Sequence, residues 1–550
     1  MATQQPPYQT LPQITSGMPP GIPFIVGNEA AERFSFYGMK TILVVFMTQY
    51  LLSATGQTAG MNETQAREWM HFFVATAYFF PIIGGIVADA FLGKYATILL
   101  LSLVYCVGHL CLSLMDMPAS LLAATLEPRG WLLVGLALIA VGSGGIKPCV
   151  SSHVGDQFGA ANRHLLERVF GWFYFAINFG SFFSTLLTPW LLKHSGPGWA
   201  FGVPGILMAA ATWVFWLGRH RFVHIPPRGM RYFSETFGPK GRGAIFSLVP
   251  LYLLVAVFWS LYDQSGGAWV QQAQQMDRRL LGVSWLESQI QAINPLLVLI
   301  FIPLFNALIY PAVSKLITLT PLRKILAGFV LTVFAFAISA SAQRVIDSEA
   351  DRFQQTIAPL VAQGKIDSAA TATALNEAGF VAIAKELVDD DGQTNPQQLT
   401  RSLVAAGLAI TVDNTRLSAD WPNVGWQLCA YVVITAAEVL VSITCLEFSY
   451  TQAPPQGKSL VMSLYLLSVS MGNLFTAMVN KLTQDAAGNS TLSGENYYWF
   501  FTGCMAVATV LLIPVLLLYK PREYLQGEPT NSRLAPDNAV GSLTGSRAKR

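Results

Sequence analysis

Charge is scarce in this sequence. Lys, Arg, Asp and Glu make up 12% of its 550 residues, about half of the ~25% usual in soluble domains. That shortfall excludes a chain solvated mainly by water. The signs nearly cancel, at a net +3, so nothing points to nucleic acid as a partner. The six cysteines, Cys106, Cys111, Cys149, Cys429, Cys445 and Cys504, lie in or beside apolar runs and form no CxxC pair. They read as small hydrophobes rather than disulfides or metal ligands. The seven histidines are scattered, with no HExxH and no His/Asp cluster. A membrane-embedded enzyme usually carries such a set, so no enzyme activity, metal or cofactor is expected. The N-terminal stretch MATQQPPYQTLPQITSGMPP lacks the basic region and short apolar core of a cleaved signal peptide. The first span is expected to serve as its own insertion signal.

What the sequence has in abundance is apolar length. It is 53% hydrophobic with a mean hydropathy of +0.45. Stretches such as 131–149, 245–262, 326–343 and 497–519 are near the length that crosses ~30 Å of hydrocarbon. Helices are expected at about 22–52, 67–89, 95–115, 131–149, 168–192, 200–218, 245–265, 290–314, 324–343, 424–448, 459–480 and 497–519. Twelve spans put both termini on one side of the bilayer. The 219–244 segment carries Arg219, Arg221, Arg228, Arg231, Lys240 and Arg242 against Glu235 alone, and Arg163, Lys315 and Arg323 fall in loops on the same side. The positive-inside rule makes that side cytoplasmic. The longest hydrophilic stretch, 344–423, falls opposite. It is acid-rich at Asp389, Asp390 and Asp391, and 368–391 has helical composition ending at Gly392. It is expected to pack as a short helical cap, having too little apolar mass for an independent domain.

The resulting division is a 1–21 tail, a six-helix bundle at 22–218, a basic linker at 219–244, a second six-helix bundle at 245–519 that includes the 344–423 segment, and a 520–550 tail. Six spans, a basic loop and six more suggest an all-α major facilitator fold of two bundles. Gly84–Lys94, GGIVADAFLGK, resembles the facilitator loop between helices 2 and 3, where Asp89 can pair or cap.

The first span is the strongest functional signal. GNEAAERFSFYGMKTILVVF carries Glu29, Glu32, Arg33 and Lys40 within about three turns. Each charge at the centre of a span costs ~2.5–3.5 kcal/mol on insertion scales. At 100° per residue Glu29, Arg33, Phe36, Tyr37 and Lys40 share one face, with Glu32 at its edge. Such a stripe requires a polar cavity and mutual pairing. Glu29-Ala-Ala-Glu32-Arg33-Phe34 resembles the ExxERF motif of the proton-dependent oligopeptide transporters. FYFAINFGS (173–181), GSGGIKPCVSSHVGDQF (142–158), FWSLYDQSGGAW (258–269) and EVLVSITCLEFSYTQAP (438–454) match the same family in order. The last three are similar to the animal intestinal-type members. The two extra helices that many bacterial members carry between spans 6 and 7 have no room here.

The resemblance implies a proton-coupled importer of di- and tripeptides, with Glu29, Glu32, Arg33, Lys147, His71 and Asp263 in proton coupling. It implies substrate contacts from Arg33, Tyr37, Lys40, Tyr78, Lys147, Tyr174, Asn178, Trp259, Asn294, Glu438, Ser442 and Tyr465. Lys147 stands near the end of a Gly-rich span, and a buried ammonium needs an anion or loses its proton. Glu438 is an isolated carboxylate with Ser442 one turn on. Asp263 follows Trp259 by four residues, so both can face inward. Tyr465 replaces a tryptophan common in the family, and Lys40 replaces an arginine, keeping charge but losing the bidentate fork.

A dipeptide with its carboxylate toward Arg33, Lys40 and Lys147 and its amine toward Glu438 bridges the two halves. In the expected coupling, ionised Glu29 and Glu32 hold Arg33 and Lys147 in internal salt bridges until protonation frees a cation. The expected partners are peptide, protons and lipid, with no obligatory protein partner, and the expected setting is a bacterial inner membrane. A passive channel is the rival from another class. Within the family, another small zwitterion or acid is the alternative cargo.

Overall fold

The computed structural model describes residues 8–12, 14–53, 55–57, 59–115, 127–159, 161–236, 238–377, 396–406, 409–412, 415–452, 458–485 and 490–519. Twelve long helices organise them: α1 Ile22–Val45, α2 Glu63–Ile86, α3 Lys94–Leu114, α4 Pro128–Asp156, α5 Leu166–Ser195, α6 Pro197–Leu217, α7 Pro239–Tyr262, α8 Ile293–Leu304, α9 Pro321–Ala362, α10 Gly425–Glu438, α11 Lys458–Leu482 and α12 Gly494–Leu518. Among the described residues, eleven helical spans are long and apolar enough to cross a membrane. The first helix is not among them, because four charged side chains lower its hydropathy.

Local chemistry sets several of these boundaries. Asn62 caps α2 by accepting from the Gln65 N–H at 2.8 Å, which satisfies an otherwise orphaned donor. Prolines open α4, α6, α7 and α9, where a missing N–H is harmless. Four spans contain a π-helical turn, at Phe46–Tyr50, Val87–Leu92, Phe305–Ile309 and Val439–Ile443. Such widened turns re-aim the side chains that follow and often occur at functional positions.

The apolar packing falls into two large clusters. One joins residues of α1–α6 around Phe36, Ile42, Tyr105, Ile139 and Phe201. The other joins α7 and α9–α12 around Phe258, Phe329, Phe336, Tyr431 and Phe501. Outward-facing residues are also apolar: Trp213 is 62% and Val510 63% exposed, the pattern of a lipid-facing wall. In the first bundle α3 packs on α4 and α6, and α1 on α5 and α6. The bundles meet through α2 against α11 and α5 against α8. The α2–α4 contact depends on Gly84, where a Cβ would overlap the Gly145 backbone. That close approach seats the Gly-rich end of α4, and Lys147 with it, beside the inter-bundle space.

The ninth helix differs from expectation. It continues past Pro359 to Ala362 instead of stopping near 343, because no glycine or proline lies between 344 and 358, and it ends just before Gly364, whose φ is +66°. The 344–423 segment therefore begins as an extension of a spanning helix. Phe353, Ile357 and Val361 on that extension meet Leu399 and Leu403 of the helix Pro396–Ala406. An antiparallel pair, Ile410–Val412 with Thr415–Leu417, follows. Within 368–391 the helix covers Ser368–Glu377, and Asp389, Asp390, Asp391 and Gly392 lie outside the described residues.

Candidate functional site: a cavity between the bundles

A cavity of about 1250 Å³ lies between the two bundles, above the ~300–1,000 Å³ usual for small-molecule sites. It runs from Lys40, Asp263 and Gln291 at its closed end to Lys94, Asp156, Arg228 and Glu447 at its mouth. The mouth opens on the face that carries the basic 219–230 loop. Glu29, Arg33, Tyr37, Lys40, Tyr78, Lys147, Tyr174, Asn178, Trp259, Asp263, Asn294, Glu438, Ser442 and Tyr465, all singled out from the sequence, line this one space. Two others do not. Glu32 is fully buried behind Arg33, and His71 is sealed between the bundles.

The first helix resolves most of its own charge. Arg33 Nε donates to Glu29 Oε1 at 2.7 Å and lies 3.3 Å from Glu32 Oε2. Glu32 Oε1 accepts from Ser143 of α4 at 2.5 Å. The two carboxylates thus share one guanidinium, an arrangement sensitive to a proton on either.

Lys147 does not join them, which corrects the expected salt bridge. Its Nζ sits 3.9 Å from the Phe36 ring centroid and 4.0 Å from that of Tyr78, with no hydrogen-bond partner among the described residues. Two aromatic faces stabilise an ammonium by cation–π attraction while leaving its N–H donors uncommitted. Phe36, which shares the ionisable stripe by helical angle, is this buried platform rather than a cavity-lining group.

At the closed end a polar chain crosses between bundles. Lys40 Nζ donates to Asp263 Oδ1 at 2.5 Å. Asp263 Oδ2 accepts from Asn473 Nδ2 at 2.7 Å, and His71 Nδ1 lies 2.8 Å from Asn473 Oδ1. Because the Asn473 amide nitrogen serves Asp263, its oxygen faces the imidazole and His71 Nδ1 is the donor. Asp263 is therefore not an exposed charge ending a span but a buried link. Ser470 of α11 donates to the Ala75 carbonyl of α2 at 2.6 Å, and Arg67 Nε to Asn480 Oδ1 at 3.1 Å. Together these bonds close this face.

The second bundle presents fewer charges. Glu438 Oε2 accepts from Asn294 Nδ2 at 2.9 Å. The same amide nitrogen reaches Thr435 Oγ1 at 3.0 Å, and Tyr262 donates to Asn294 Oδ1 at 3.3 Å. The π-turn Val439–Ile443 begins directly after Glu438. Tyr465 donates to Ser442 Oγ at 3.3 Å, and Trp259 stands edge-on to Tyr262 at 5.2 Å. In the first bundle, Asn178 Nδ2 is held by the Tyr174 carbonyl at 3.0 Å.

Sequence reasoning missed Ser143, Tyr262 and Asn473. Ser143 and Tyr262 lie inside motifs already noted. An asparagine in the middle of an apolar span is the signal that marks Asn473, since a buried amide requires partners.

Two six-helix bundles around a central ionisable cavity, open at one end and latched at the other, define a membrane carrier of the major facilitator fold. Known proteins place it more narrowly. The family model for the POT family matches residues 95–238, 230–386 and 401–500. Peptide transporter family 1 of Drosophila melanogaster is 30% identical, over 86% of this chain and 85% of its own length. Solute carrier family 15 member 2 of Rattus norvegicus is 29% identical, over 98% and 94%. A crystal structure of an auto-inhibited POT family peptide transporter superposes with a TM-score of 0.68 at 31% identity, covering 93% of this chain and 99% of that one. The chain belongs to the POT family, a family of transporters.

Proposed function

We propose that this protein is a proton-coupled symporter that imports di- and tripeptides by alternating access, seen with its cavity open to the cytoplasm. The observation that carries the reading is the split of charge around one cavity. Arg33, Lys40 and Lys147 come from one bundle and Glu438 from the other, all on its lining. A zwitterionic peptide is the ligand whose termini satisfy both walls. The names of the relatives, peptide transporter and solute carrier, support the same cargo.

Lys147 is the cation ready for a peptide carboxylate, because it has no carboxylate partner among the described residues. Arg33 becomes available only when a proton relieves the carboxylate pair that holds it. Glu438 receives the amine and exchanges its Asn294 contact for a charged one. A peptide bridging both walls favours closure through contacts that the open state lacks. The Lys40–Asp263–Asn473–His71 chain must break for the other face to open, which places a titratable imidazole and a carboxylate at that gate.

The basic loops support a cytoplasmic open face and cytoplasmic termini. The proposed setting is a bacterial inner membrane. One proton moving down 100 mV supplies ~2.3 kcal/mol and one pH unit ~1.4 kcal/mol, enough for roughly several hundredfold accumulation. Uptake of a labelled dipeptide into proteoliposomes, with an imposed pH gradient and potential, tests this. Accumulation above the external concentration that collapses with a protonophore is expected. Equilibration without accumulation would mean a passive channel.

A further inference from the structure

On the closed face, between the same two bundles, lies a second cavity of about 440 Å³. It is walled by Glu63 and Arg67 of α2 on one side and by glutamine amides and the Tyr497 and Tyr498 rings on the other. Among the described residues Arg67, like Lys147 in the central cavity, meets only neutral partners. It donates to Asn480 Oδ1 at 3.1 Å, Gln271 Oε1 at 2.6 Å and Thr64 Oγ1 at 3.3 Å, and its guanidinium lies 4.8 Å from the Tyr497 ring centroid. Those three bonds leave two of its five N–H donors.

Glu63 precedes Arg67 by one helical turn, a spacing at which opposite charges normally pair. Here no ion pair forms between them among the described residues. Arg67 is drawn across to the other bundle instead, and the Glu63 carboxylate stays exposed. A third group stands beside them. Gln272 is 3% exposed. Its Nε2 donates to the Ser339 carbonyl and Gln343 Oε1, both at 3.0 Å, while its Oε1 has no partner among the described residues. A buried amide oxygen without a donor is costly.

The geometry points to a second binding site for a zwitterionic peptide, on the face opposite the open mouth. The peptide carboxylate meets Arg67, its amine meets Glu63, and a peptide N–H supplies the donor that Gln272 Oε1 lacks. This rests on the peptide reading above. The walls come from both bundles, so the site exists only while this face is closed. A ligand there stabilises that state. External peptide at high concentration therefore slows the carrier's return to the outward-open form.

Two measurements on the full-length protein test the site, both with dialanine as probe. In equilibrium binding, Glu438→Gln weakens the central site and leaves a separate class of bound dialanine. That class is lost in Ser493→Trp, a substitution at an exposed position on the rim. In Arg67→Gln it weakens by about tenfold or more, the loss of a charge-assisted hydrogen bond. In proteoliposomes, wild-type uptake rises and then falls with external dialanine, and the fall disappears in both variants. The site is refuted if Arg67→Gln leaves the second class and the fall unchanged, a result that stands even if Ser493→Trp fails to fold. Second-class binding without proton-driven accumulation keeps the site and sinks the transport reading. Accumulation with a single class and plain saturation sinks the site alone.

Discussion

The two bundles handle buried charge in opposite ways. The first concentrates it: Glu29, Glu32 and Arg33 neutralise one another within a single turn of α1, and Lys147 rests on aromatic faces. The second disperses it. Asp263 is held across the interface by Lys40 and within its own bundle by the Asn473 amide, and Glu438 by neutral groups, the Asn294 amide among them. A self-contained charge cluster responds to protons without requiring movement of the other bundle. A carboxylate held across an interface, or by neutral partners, responds to what the other bundle or the cargo brings. On the mechanism proposed above, the first bundle senses protons and the second senses closure and cargo.

The contrast can be broken most severely at the interface. Removing one partner of a buried ion pair costs ~3–5 kcal/mol, so Lys40→Met strands Asp263 and shifts the carrier away from the latched state. Cysteine accessibility on the closed face should rise accordingly. Lys40→Met combined with Asp263→Leu removes both charges and should recover most of the latched population. If the double variant opens as far as the single one, the pair is not the latch.

Next comes the proton cluster. Glu29→Gln and Glu32→Gln should each abolish the roughly several-hundredfold accumulation available to one proton while peptide exchange across the membrane persists. Gradient-driven accumulation that survives both substitutions would refute proton sensing by the first bundle.

A smaller effect is expected at the cargo end. Glu438→Gln removes a charged partner of the peptide amine, ~1.5–3 kcal/mol, and should raise KM about 10- to 100-fold. An N-acetylated dipeptide, which has no amine to lose, should show no change. Equal losses for both peptides would place the amine elsewhere.

The smallest effect sharpens the picture. Ser143→Ala removes one hydrogen bond to Glu32, ~1–3 kcal/mol. It should weaken proton-driven accumulation while leaving peptide exchange across the membrane intact. KM for peptide at saturating proton concentration should stay constant, and a change confined to KM would assign Ser143 to substrate instead.

Much of this architecture is legible in the chain. Apolar runs of spanning length mark eleven helices, and the charged stripe on α1 marks a polar interior because charges in hydrocarbon are expensive. Other features are not legible. The seat of Lys147 depends on Phe36 and Tyr78, from two different helices, and no local pattern links a lysine to rings more than sixty positions away. Asn473 connects Asp263 to His71 over similarly long separations. The ninth helix is expected to end where hydrophobicity falls, yet it runs on past Pro359 to Ala362, just before the left-handed Gly364.

The sequence by itself determined that this protein crosses a membrane in many helices and buries ionisable groups along one of them, because transfer free energy and helical periodicity are local properties. Only the tertiary structure decided which carboxylate holds which cation, which face is latched, and that Arg67 and Glu63 remain apart. Those outcomes depend on competition among groups brought within a few ångströms by packing between bundles.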